Sequence, residues 1–417
     1  MSKEINLEAI IENWKKRNLI KEITSIENLK WIIQNKKSVY CGIDPTYDSL
    51  HLGHLIPLKL LKEFSILGCP IIVLLGGATG EVGDPSFQKQ KRKNLVISQI
   101  QKNIIQIQTQ ILKLLPKVKL VNNLDWYQKF NILDFFKNVS SLFTVKKMLQ
   151  KESFAQAFKE NILFHHQFSY ILLQAYDFYY LWKNYDCHLQ IGGSDQFPNI
   201  VFGIDLIRKK TTKKILVCGI TTNLLLDENG HKISKSSNQT NIWLSVKKNS
   251  FYQIFQFFYN LNDQLIQIWI NLFDVEFSKK LSSEDFKTRK PQKNLFFYII
   301  TWIFGSKINQ QIKQCLSNLQ NNVLSFEVLK LMSELNFINQ FLLLQKHTHQ
   351  TDIISLLLWT NMADSKISAK KLIMQKAIKI NKEILNKNDF IFNLIPTNTK
   401  IFTLKKGKKE IILIKIK

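Results

Sequence analysis

The first 240 residues alternate between short apolar runs and stretches with helical spacing. Apolar runs occur at Val39–Gly42, Ile71–Leu75, Lys117–Val121 and Ile215–Cys218, while Glu8–Leu19 and His54–Leu67 have helical periodicity. Continuous apolar runs that end at glycine or polar residues are typical of buried parallel strands. Strands that alternate with helices predict a Rossmann-like α/β domain built on an open parallel sheet. Ligands of such sheets bind at the carboxyl ends of the strands.

The pattern changes after about residue 240. Ser250–Phe341 is rich in Phe, Asn and Gln and predicts helices, and the polar Gln345–Thr351 predicts a linker. Asp352–Lys417 begins with helical spacing and ends in the alternating strand pattern IILIKIK. We therefore expect a catalytic domain at 1–240, a helical domain at 241–344, a linker at 345–351 and a small α+β module at 352–417.

The chain is strongly basic, with 58 Lys and Arg against 32 Asp and Glu and a formal net charge of +26. Such a charge favours a polyanionic partner, above all nucleic acid. Only four of the basic residues are Arg, so drift towards A/T-rich codons explains part of the excess. Five cysteines without a C-x-x-C pair indicate a reducing compartment and no metal or disulfide framework. Nothing indicates a signal peptide or membrane span, so we expect a soluble cytoplasmic protein.

Two histidines flank Leu52-Gly53 at the start of a predicted helix, in the sequence H-L-G-H. A metal site would need a third ligand, and none stands at a suggestive spacing. Ordinary surface histidines are a second interpretation. The third uses Gly53: a base can pack closely on a residue without a side chain, and a helix N-terminus favours anions. His51 and His54 could then donate hydrogen bonds to phosphate oxygens.

A second motif, H-K-I-S-K-S at His231–Ser236, follows a strong turn signal about 180 residues later. Lys232 and Lys235 would suit a charged grip on phosphates, although a Lys-rich loop is ordinary in a Lys-rich chain. Together the two motifs resemble the HIGH and KMSKS signatures of class I aminoacyl-tRNA synthetases. That resemblance implies that both motifs hold ATP during amino-acid adenylation.

Four further stretches resemble the bacterial-type tyrosyl-tRNA synthetases. They read YCGIDPT from Tyr40, GGATGEVGDPS from Gly76, YILLQAYD from Tyr170 and QIGGSDQ from Gln190. The resemblance covers essentially the whole chain and implies activation of L-tyrosine with ATP and Mg²⁺, followed by transfer to tRNA(Tyr). The residues agree, because Tyr170, Gln174 and Asp177 share one helix face between apolar neighbours. A buried carboxylate wants a hydrogen-bond donor, which a substrate phenol supplies.

The resemblance also implies a role for each matching residue. The tyrosine hydroxyl would be held by Asp177 and Tyr40, the ammonium by Tyr170, Gln174 and Asp84, and the carboxyl end by Gln196, with Gln190 and Asn123 as supports. The nucleotide would be held by Cys41, Gly42, Asp44, His51, Gly53, His54, Gly192, Gly193 and Asp195. The leaving pyrophosphate would be held by Thr46, Lys232 and Lys235, with Arg92 beside them.

The C-terminal segment Ser365–Leu385 resembles the small RNA-binding domain shared with ribosomal protein S-four. The resemblance implies that Lys366, Lys370 and Lys371 contact tRNA phosphates, which positions RNA without reading its sequence. It also implies an anticodon-binding role for the helical domain and a homodimer, to which Asp134–Lys151 would contribute.

The chain departs from the family pattern at four turns. These are Phe197-Pro198, Phe87-Gln88, Lys376-Ala377 and Asn381-Lys382, where the family usually has glycine or lysine. Three rival functions stay open: a tryptophanyl-tRNA synthetase, a small-molecule nucleotidyltransferase with H-x-G-H, and a non-catalytic RNA-binding protein. The polar residues around Tyr40 and Asp177 argue against a tryptophanyl-tRNA synthetase, since an indole N–H needs fewer polar neighbours than a phenol hydroxyl.

Overall fold

The computed structural model describes most of the chain. The described residues are 6–83, 96–150, 152–161, 163–212, 214–226, 230, 233, 242–274, 281–321, 326–338, 341–344, 352–380, 383–384, 401–407 and 410–416. They form two compact units: 1–243 with 262–282, and 244–261 with 283–417. Within the described residues, no helix has the length and apolar character needed to cross a membrane.

Among its described residues the first unit contains six strands, with helices of 4 to 21 residues around them. In chain order its elements are α1 Leu7–Lys16, β1 Ile20–Ile23, α2 Ile26–Gln34, β2 Ser38–Ile43, α3 Leu55–Ile66, β3 Ile71–Leu75, α4 Thr79–Val82, α5 Ile97–Leu114, β4 Lys119–Asn122, α6 Leu124–Tyr127, α7 Ile132–Asn138, α8 Val145–Met148, α9 Glu152–Lys159, α10 His165–Tyr185, β5 Cys187–Gly193, α11 Phe197–Lys210 and β6 Cys218–Thr222.

The strands form one sheet in the order β1-β6-β5-β2-β3-β4. All neighbours are parallel except β1, which pairs antiparallel with β6 at the edge. The register places Tyr40 beside Ile72 on one side and beside Gln190 on the other. The predicted parallel α/β sheet is therefore confirmed, with one antiparallel edge strand added.

Three strands differ from the sequence prediction. The apolar run Ile215–Cys218 was expected to be a strand, but the strand starts at Cys218 and continues through Gly219 to Thr222. The prediction was wrong because Val217 is buried without pairing in the sheet, whereas the paired residues of the strand include glycine and threonine. Strands β1 and β5 went unrecognised, since IKEI and CHLQIGG are short or interrupted by polar residues.

Helices α10 and α11 pack on the sheet and enclose its main aromatic core. That core joins Tyr40, Ile72 and Leu74 of the strands to Phe178 and Ile204 of the two helices. The all-apolar β3 is buried at each of its five positions, as a central parallel strand requires. Gly203 of α11 fits against the Phe178 ring, where a Cβ would crowd it, so the two helices approach closely.

The second unit begins with helices. Its helices are α12 Phe251–Tyr259, α14 Ser283–Lys287, α15 Lys290–Phe304, α16 Ser306–Asn321 and α17 Phe326–Glu334, whereas α13 Asp263–Phe273 belongs to the first unit. Ser250 and Gln253 form a reciprocal capping box at the start of α12. The helices expected for Ser250–Phe341 are found in its described residues as far as Glu334, and Phe341 begins a strand.

The C-terminal module, here residues 352–417, combines two helices with a sheet. Its elements are α18 Ile353–Trp359, α19 Lys366–Met374, β8 Ile378–Ile380, β9 Glu383–Ile384, β10 Ile401–Lys406 and β11 Glu410–Ile416. The sheet also includes β7 Phe341–Leu344, and its strand order is β7-β11-β10-β8-β9. Strand β7 precedes the module in the chain but pairs parallel with β11. The linker expected at 345–351 lies outside the described residues.

Candidate active site

The carboxyl ends of β2, β3 and β5 meet at one edge of the sheet, because the three strands are parallel neighbours. Asp44 follows β2, Gly76 and Gly77 follow β3, and Gly192–Gln196 closes β5. A Cβ atom on Gly76 would overlap Asp44 Oδ1 and Thr79 Oγ1, and one on Gly77 would overlap Asn122 Oδ1. Glycine thus lets polar side chains of neighbouring strands crowd into one place.

Asp177 is the buried carboxylate of this site, with a side chain only 2 % exposed on α10. Asn123 Nδ2 donates to its Oδ2 at 3.1 Å, and Trp126 Nε1 donates to its Oδ1 at 3.1 Å. Burial raises the pKa of Asp177 to about 8, while hydrogen bonds such as that from Asn123 act to lower it. A carboxylate this buried accepts a further donor readily, since each added hydrogen bond favours its charged form.

Asn123 is itself held in place, so the pocket beneath Asp177 is rigid. Its Oδ1 accepts from the Ala78 backbone N–H at 2.8 Å, and its Nδ2 also donates to Thr79 Oγ1 at 3.0 Å. The sequence indicated Asn123 as a support but not Trp126 or Thr79. Trp126 could have been suspected because a buried indole N–H needs an acceptor, and it follows Asn123 by three residues.

Two buried polar atoms beside Asp177 have no hydrogen-bond partner among the described residues. They are Tyr40 Oη and Gln190 Oε1, which stand on paired positions of β2 and β5. Burial and the nearby Asp177 carboxylate raise the pKa of Tyr40, so its hydroxyl remains a hydrogen-bond donor. Buried atoms of this kind are costly unless a ligand pairs with them, which marks this place as a polar ligand pocket.

Asp44 joins two residues for which sequence reasoning gave separate roles. Tyr170 Oη donates to Asp44 Oδ2 at 2.8 Å, and Thr79 Oγ1 donates to Asp44 Oδ1 at 2.7 Å. The resemblance implied that Asp44 faces the nucleotide and Tyr170 the substrate ammonium. In the structure these two side chains are hydrogen-bonded neighbours, so the two predicted roles fall on adjacent residues.

Three side-chain amides cluster at the end of β5. Gln174 Nε2 donates to Gln196 Oε1 at 3.3 Å, and Asn199 Nδ2 donates to Gln174 Oε1 at 2.8 Å and to Gln196 Oε1 at 3.0 Å. Asn199 sits in the first turn of α11 and is fully buried. The sequence analysis named the two glutamines and missed Asn199. The G-G-S-D-Q motif ends at Gln196, three residues before Asn199.

The H-L-G-H histidines cap their own helix. Gly53 N–H donates to His51 Nδ1 and His51 N–H donates to His54 Nδ1, each at 3.1 Å, while the ring centroids are 3.8 Å apart. A ring nitrogen that accepts a hydrogen bond carries no proton, so each neutral imidazole bears its hydrogen on Nε2. Nε2–H groups are donors of the kind that phosphate oxygens accept.

Trp243, which follows the HKISKS segment in the sequence, lies against His51. Leu52 N–H donates to Ile242 O at 3.0 Å, and Trp243 forms an isolated bridge with His51. The Trp243 ring lies 6.0 Å from the His51 ring and 4.8 Å from Tyr47, centroid to centroid. In the sequence Trp243 stands eight residues after Lys235.

The remaining nucleotide-side residues line the same strand ends. Nothing lies within 4 Å of a Cβ built on Gly42, whereas one on Gly193 would crowd Asp195 and one on Gly192 would crowd Gln196. Burial raises the pKa of Cys41 to about 12, so its thiol is no nucleophile. Thr46 is half-buried in the turn that follows Asp44. Asp84, Arg92, Lys232 and Lys235 lie outside the described residues.

The described residues contain no group of three His, Cys, Asp or Glu side chains that could hold a metal ion. In the second unit, Lys366, Lys370 and Lys371 stand on α19, where Ile367 is 82 % exposed between them. Lys366 and Lys370 are exposed and Lys371 is in the last helical turn.

Comparisons with known proteins agree on one family. The family described as tRNA synthetases class I (W and Y) matches residues 34–340. A tyrosine–tRNA ligase of Mycoplasma capricolum is 34 % identical over 98 % of this chain and 99 % of its own length, and one of Wigglesworthia glossinidia brevipalpis is 36 % identical over the same shares. A C-terminally truncated mitochondrial tyrosyl-tRNA synthetase of Aspergillus nidulans is similar in structure, with a TM-score of 0.63, 26 % identity and coverage of 73 % of this chain and 93 % of that one.

Proposed function

The chain belongs to the class I tRNA synthetases for tryptophan and tyrosine, and from this membership we infer that it is a tyrosine–tRNA ligase. It activates L-tyrosine with ATP to tyrosyl-AMP and pyrophosphate, then transfers the tyrosyl group to the 3′ end of tRNA(Tyr). The roles of single residues, set out below, are our proposals.

One observation supports tyrosine as the amino acid: the Asp177 carboxylate and the Tyr40 hydroxyl, which has no hydrogen-bond partner among the described residues, lie near each other in one buried pocket. A substrate phenol can donate its hydrogen to the Asp177 carboxylate and accept the hydrogen of Tyr40 Oη. Phenylalanine would leave the buried Tyr40 hydroxyl unpaired and give Asp177 no additional donor, and an unpaired buried polar group costs more than a missing contact. Tyrosine enzymes of this class are the standard example of that selectivity. An indole N–H would satisfy Asp177 but leave Tyr40 without an acceptor.

Amino-acid-dependent ATP–pyrophosphate exchange tests this assignment, with tyrosine, tryptophan and phenylalanine in parallel. We expect exchange with tyrosine alone. Exchange with tryptophan would keep the adenylation chemistry and reject the Asp177–phenol contact. Absence of exchange with all three, from folded protein that binds tRNA, would favour a non-catalytic RNA-binding protein.

The α-amino and α-carboxyl groups of tyrosine would bind towards the end of β5. We propose that Tyr170, Gln174 and Asp84 hold the ammonium, with Asp44 behind Tyr170 adding negative charge. Gln196 would donate to the carboxylate, and Gln190 Oε1 would accept from the substrate or a water beside it. This orientation directs the tyrosine carboxylate towards Gly42 and the nucleotide side of the strand ends.

ATP enters as its Mg²⁺ complex. We propose that its base and ribose pack along Cys41, Gly42, Gly53, Gly192, Gly193 and Asp195, because open backbone at glycine accepts a flat ring closely. The Nε2–H groups of His51 and His54, with Thr46, Lys232 and Lys235, would bind phosphate oxygens. The tyrosine carboxylate then attacks the α-phosphate and pyrophosphate departs. Catalysis comes from positioning and from donors aimed at the charge that develops on the leaving group.

The second unit would hold tRNA. We propose anticodon binding by the helical segment, and phosphate contacts by Lys366, Lys370 and Lys371 in an S-four-like C-terminal module. The compact core of that module supports the proposal, because α18 and α19 bury one face against the strands and leave the lysine face outward. Electrostatic contacts with phosphate predict tRNA binding that weakens steeply with salt.

We further propose a homodimer that works in the cytoplasm. Exposed apolar side chains occur on both α7 and α8: Leu133 is 72 % exposed, and Ile132, Phe136 and Val145 are exposed as well. Contiguous exposed apolar residues indicate an interaction surface, and this one overlaps the segment Asp134–Lys151. Sedimentation of Leu133→Asp against the unaltered chain tests it: we expect monomers, and an unchanged dimer would reject this interface. Five free cysteines support a reducing compartment.

A further inference from the structure

The three-amide cluster of Gln174, Gln196 and Asn199 has a direction. Three amides that bond in a ring have two self-consistent hydrogen-bond senses, because reversing every amide exchanges each donor for an acceptor. In the observed sense, Asn199 supplies the N–H groups and both glutamines receive them through oxygen. Gln196 Oε1 receives a second N–H from Gln174. The orientation of the Asn199 amide, whose Nδ2 faces both glutamines, therefore sets the direction of the hydrogen bonds in the cluster.

In the proposed function the two glutamines bind opposite ends of the amino acid, so the direction of the hydrogen bonds has a chemical consequence. With Gln196 Oε1 accepting from Asn199 and Gln174, the N–H groups of Gln196 Nε2 would be the donors to the substrate carboxylate. Gln174 Oε1 carries two lone pairs, so it can accept from an ammonium as well as from Asn199. In the reversed sense Gln196 would offer oxygen to the carboxylate and Gln174 would offer N–H groups to the ammonium. Both contacts would become repulsive.

Asn199 is suited to this task by its place in the fold. It lies in the first turn of α11, directly after the turn that carries Gln196, and its side chain is 0 % exposed. Gln196 is confined in turn, because its side chain packs where a Cβ on Gly192 would stand. A buried amide between two confined amides cannot rotate without breaking hydrogen bonds, each of which is costly to lose inside the protein.

We propose that Asn199 is a positioning residue for the amino acid: its amide N–H groups set the hydrogen-bond sense of Gln174 and Gln196, so that the ammonium meets an acceptor and the carboxylate a donor. The proposal rests on the tyrosine-activating function given above. Asn199 itself would not touch the substrate.

Three substitutions of Asn199 separate polarity from packing. Asn199→Asp keeps the shape but replaces the donor by an acceptor. Asn199→Thr and Asn199→Val have nearly equal shapes, and only Thr retains a hydrogen to donate. In ATP–pyrophosphate exchange we expect Asp to raise KM for tyrosine by about 10- to 100-fold. Val should raise it more than Thr, and KM for ATP should change less than about twofold in all three.

Gln292→Glu is the matched control for burying a carboxylate. Gln292 is 0 % exposed and donates to Leu261 O in the second unit. The change should lower thermal stability as Asn199→Asp does, while KM for tyrosine stays as in the unaltered chain. Tyrosinol, which lacks the carboxylate, gives a second readout: Asn199→Asp should weaken its binding less than that of tyrosine.

A packing role alone predicts equal KM values for Thr and Val, and that result in active protein would overturn the proposal. An unchanged KM for tyrosine in folded Asn199→Asp would do the same. If Asn199→Asp does not fold, the comparison of Thr with Val decides by itself. Loss of tyrosine-dependent exchange in the unaltered chain is a different outcome, because it removes the proposed function and not only the role of Asn199.

Discussion

The tyrosine pocket and the C-terminal module differ in whether a position that favours glycine is occupied by glycine. In the pocket, Gly76 and Gly77 stand where a Cβ would overlap oxygen atoms of Asp44 and Asn122. In the module, Lys376 has φ of 53° after the last turn of α19, a left-handed position that favours glycine. Its N–H still donates to Ile373 O at 2.9 Å, so the helix ends in the usual way despite the lysine.

The physical difference is whether strain can be absorbed locally. A left-handed non-glycine residue costs about 1–2 kcal/mol, which the rest of a domain can offset. A Cβ that overlaps a catalytic-site oxygen must move that oxygen, and positioning errors of an ångström can cost 100-fold in rate. The module therefore tolerates a lysine at a turn, whereas the pocket requires glycine beside Asp44.

Gly76→Ala should have the largest effect of the changes that test this contrast. The new methyl group would displace Asp44 or Thr79, so kcat/KM for tyrosine in the exchange assay should fall by about 100-fold. Gly407→Ala is the control in the module, because Gly407 has φ of 57° and no atom within 4 Å of a built Cβ. It should lower stability by about 1 kcal/mol and leave exchange unchanged. Equal exchange in both variants would contradict the contrast.

The pocket and the module should also differ in their response to pH. The pocket buries the carboxyl of Asp177, whereas the proposed tRNA contacts of the module are exposed lysines. With the pKa of Asp177 raised to about 8, its carboxyl is mostly protonated below that pH. The ionised form accepts the phenol hydrogen more strongly than the protonated form, so KM for tyrosine should fall as pH rises from about 6.5 to about 8.5. Asp177→Asn should have a higher KM with little dependence on pH in this range.

The same group makes a stability prediction. The native state keeps the Asp177 proton up to about pH 8, whereas the unfolded chain releases it near 3.8. The contribution of Asp177 to the free energy of unfolding therefore decreases as pH rises from about 4 to about 8. Urea unfolding at pH 5 and at pH 8 should show a smaller loss of stability in Asp177→Asn than in the unaltered chain. An equal loss would mean that Asp177 ionises normally in the folded protein.

In the module, neutralising Lys366, Lys370 and Lys371 to Ala should weaken tRNA binding while tyrosine-dependent exchange stays unchanged. The slope of log K against log salt should become shallower by about two to three, since about 0.7–0.9 counterions are released for each phosphate contact. Neutralising Lys15, Lys16 and Lys21 of the first unit is the control for net charge. If that control shows the same loss, general charge and not the α19 face holds the tRNA.

The smallest effect expected is that of Lys376→Gly. Glycine occupies left-handed φ without strain, so the change should raise stability by about 1 kcal/mol. Lys379→Gly, within strand β8, should instead lower stability by about 0.5–1 kcal/mol. Thermal unfolding of the full chain measures both, and a destabilised Lys376→Gly would show that the lysine side chain makes contacts worth more than the strain it bears.

Much of this architecture was available from the sequence. The run Ile71–Leu75 predicted β3 at its observed bounds, and His54–Leu67 predicted α3 to within one residue at each end. Local signals of this kind depend on burial and period, which neighbouring residues share. Strand β5 was missed because His188 and Gln190 interrupt its apolar pattern, and the start of β6 was misplaced because Ile215–Val217 is apolar without pairing. The domain boundaries and single-residue roles stay predictions.

The sequence by itself determined that strands alternate with helices, the two signature motifs and the residue types of the site, since these depend on local pattern and on resemblance. Only the tertiary structure decided which of those residues touch. Tyr170 meets Asp44 across 126 positions, Trp126 meets Asp177 across 51, and Asn199 sets its amide between two glutamines. Contacts between residues so far apart follow from how α10 and α11 pack on the parallel sheet, and no local period records that packing.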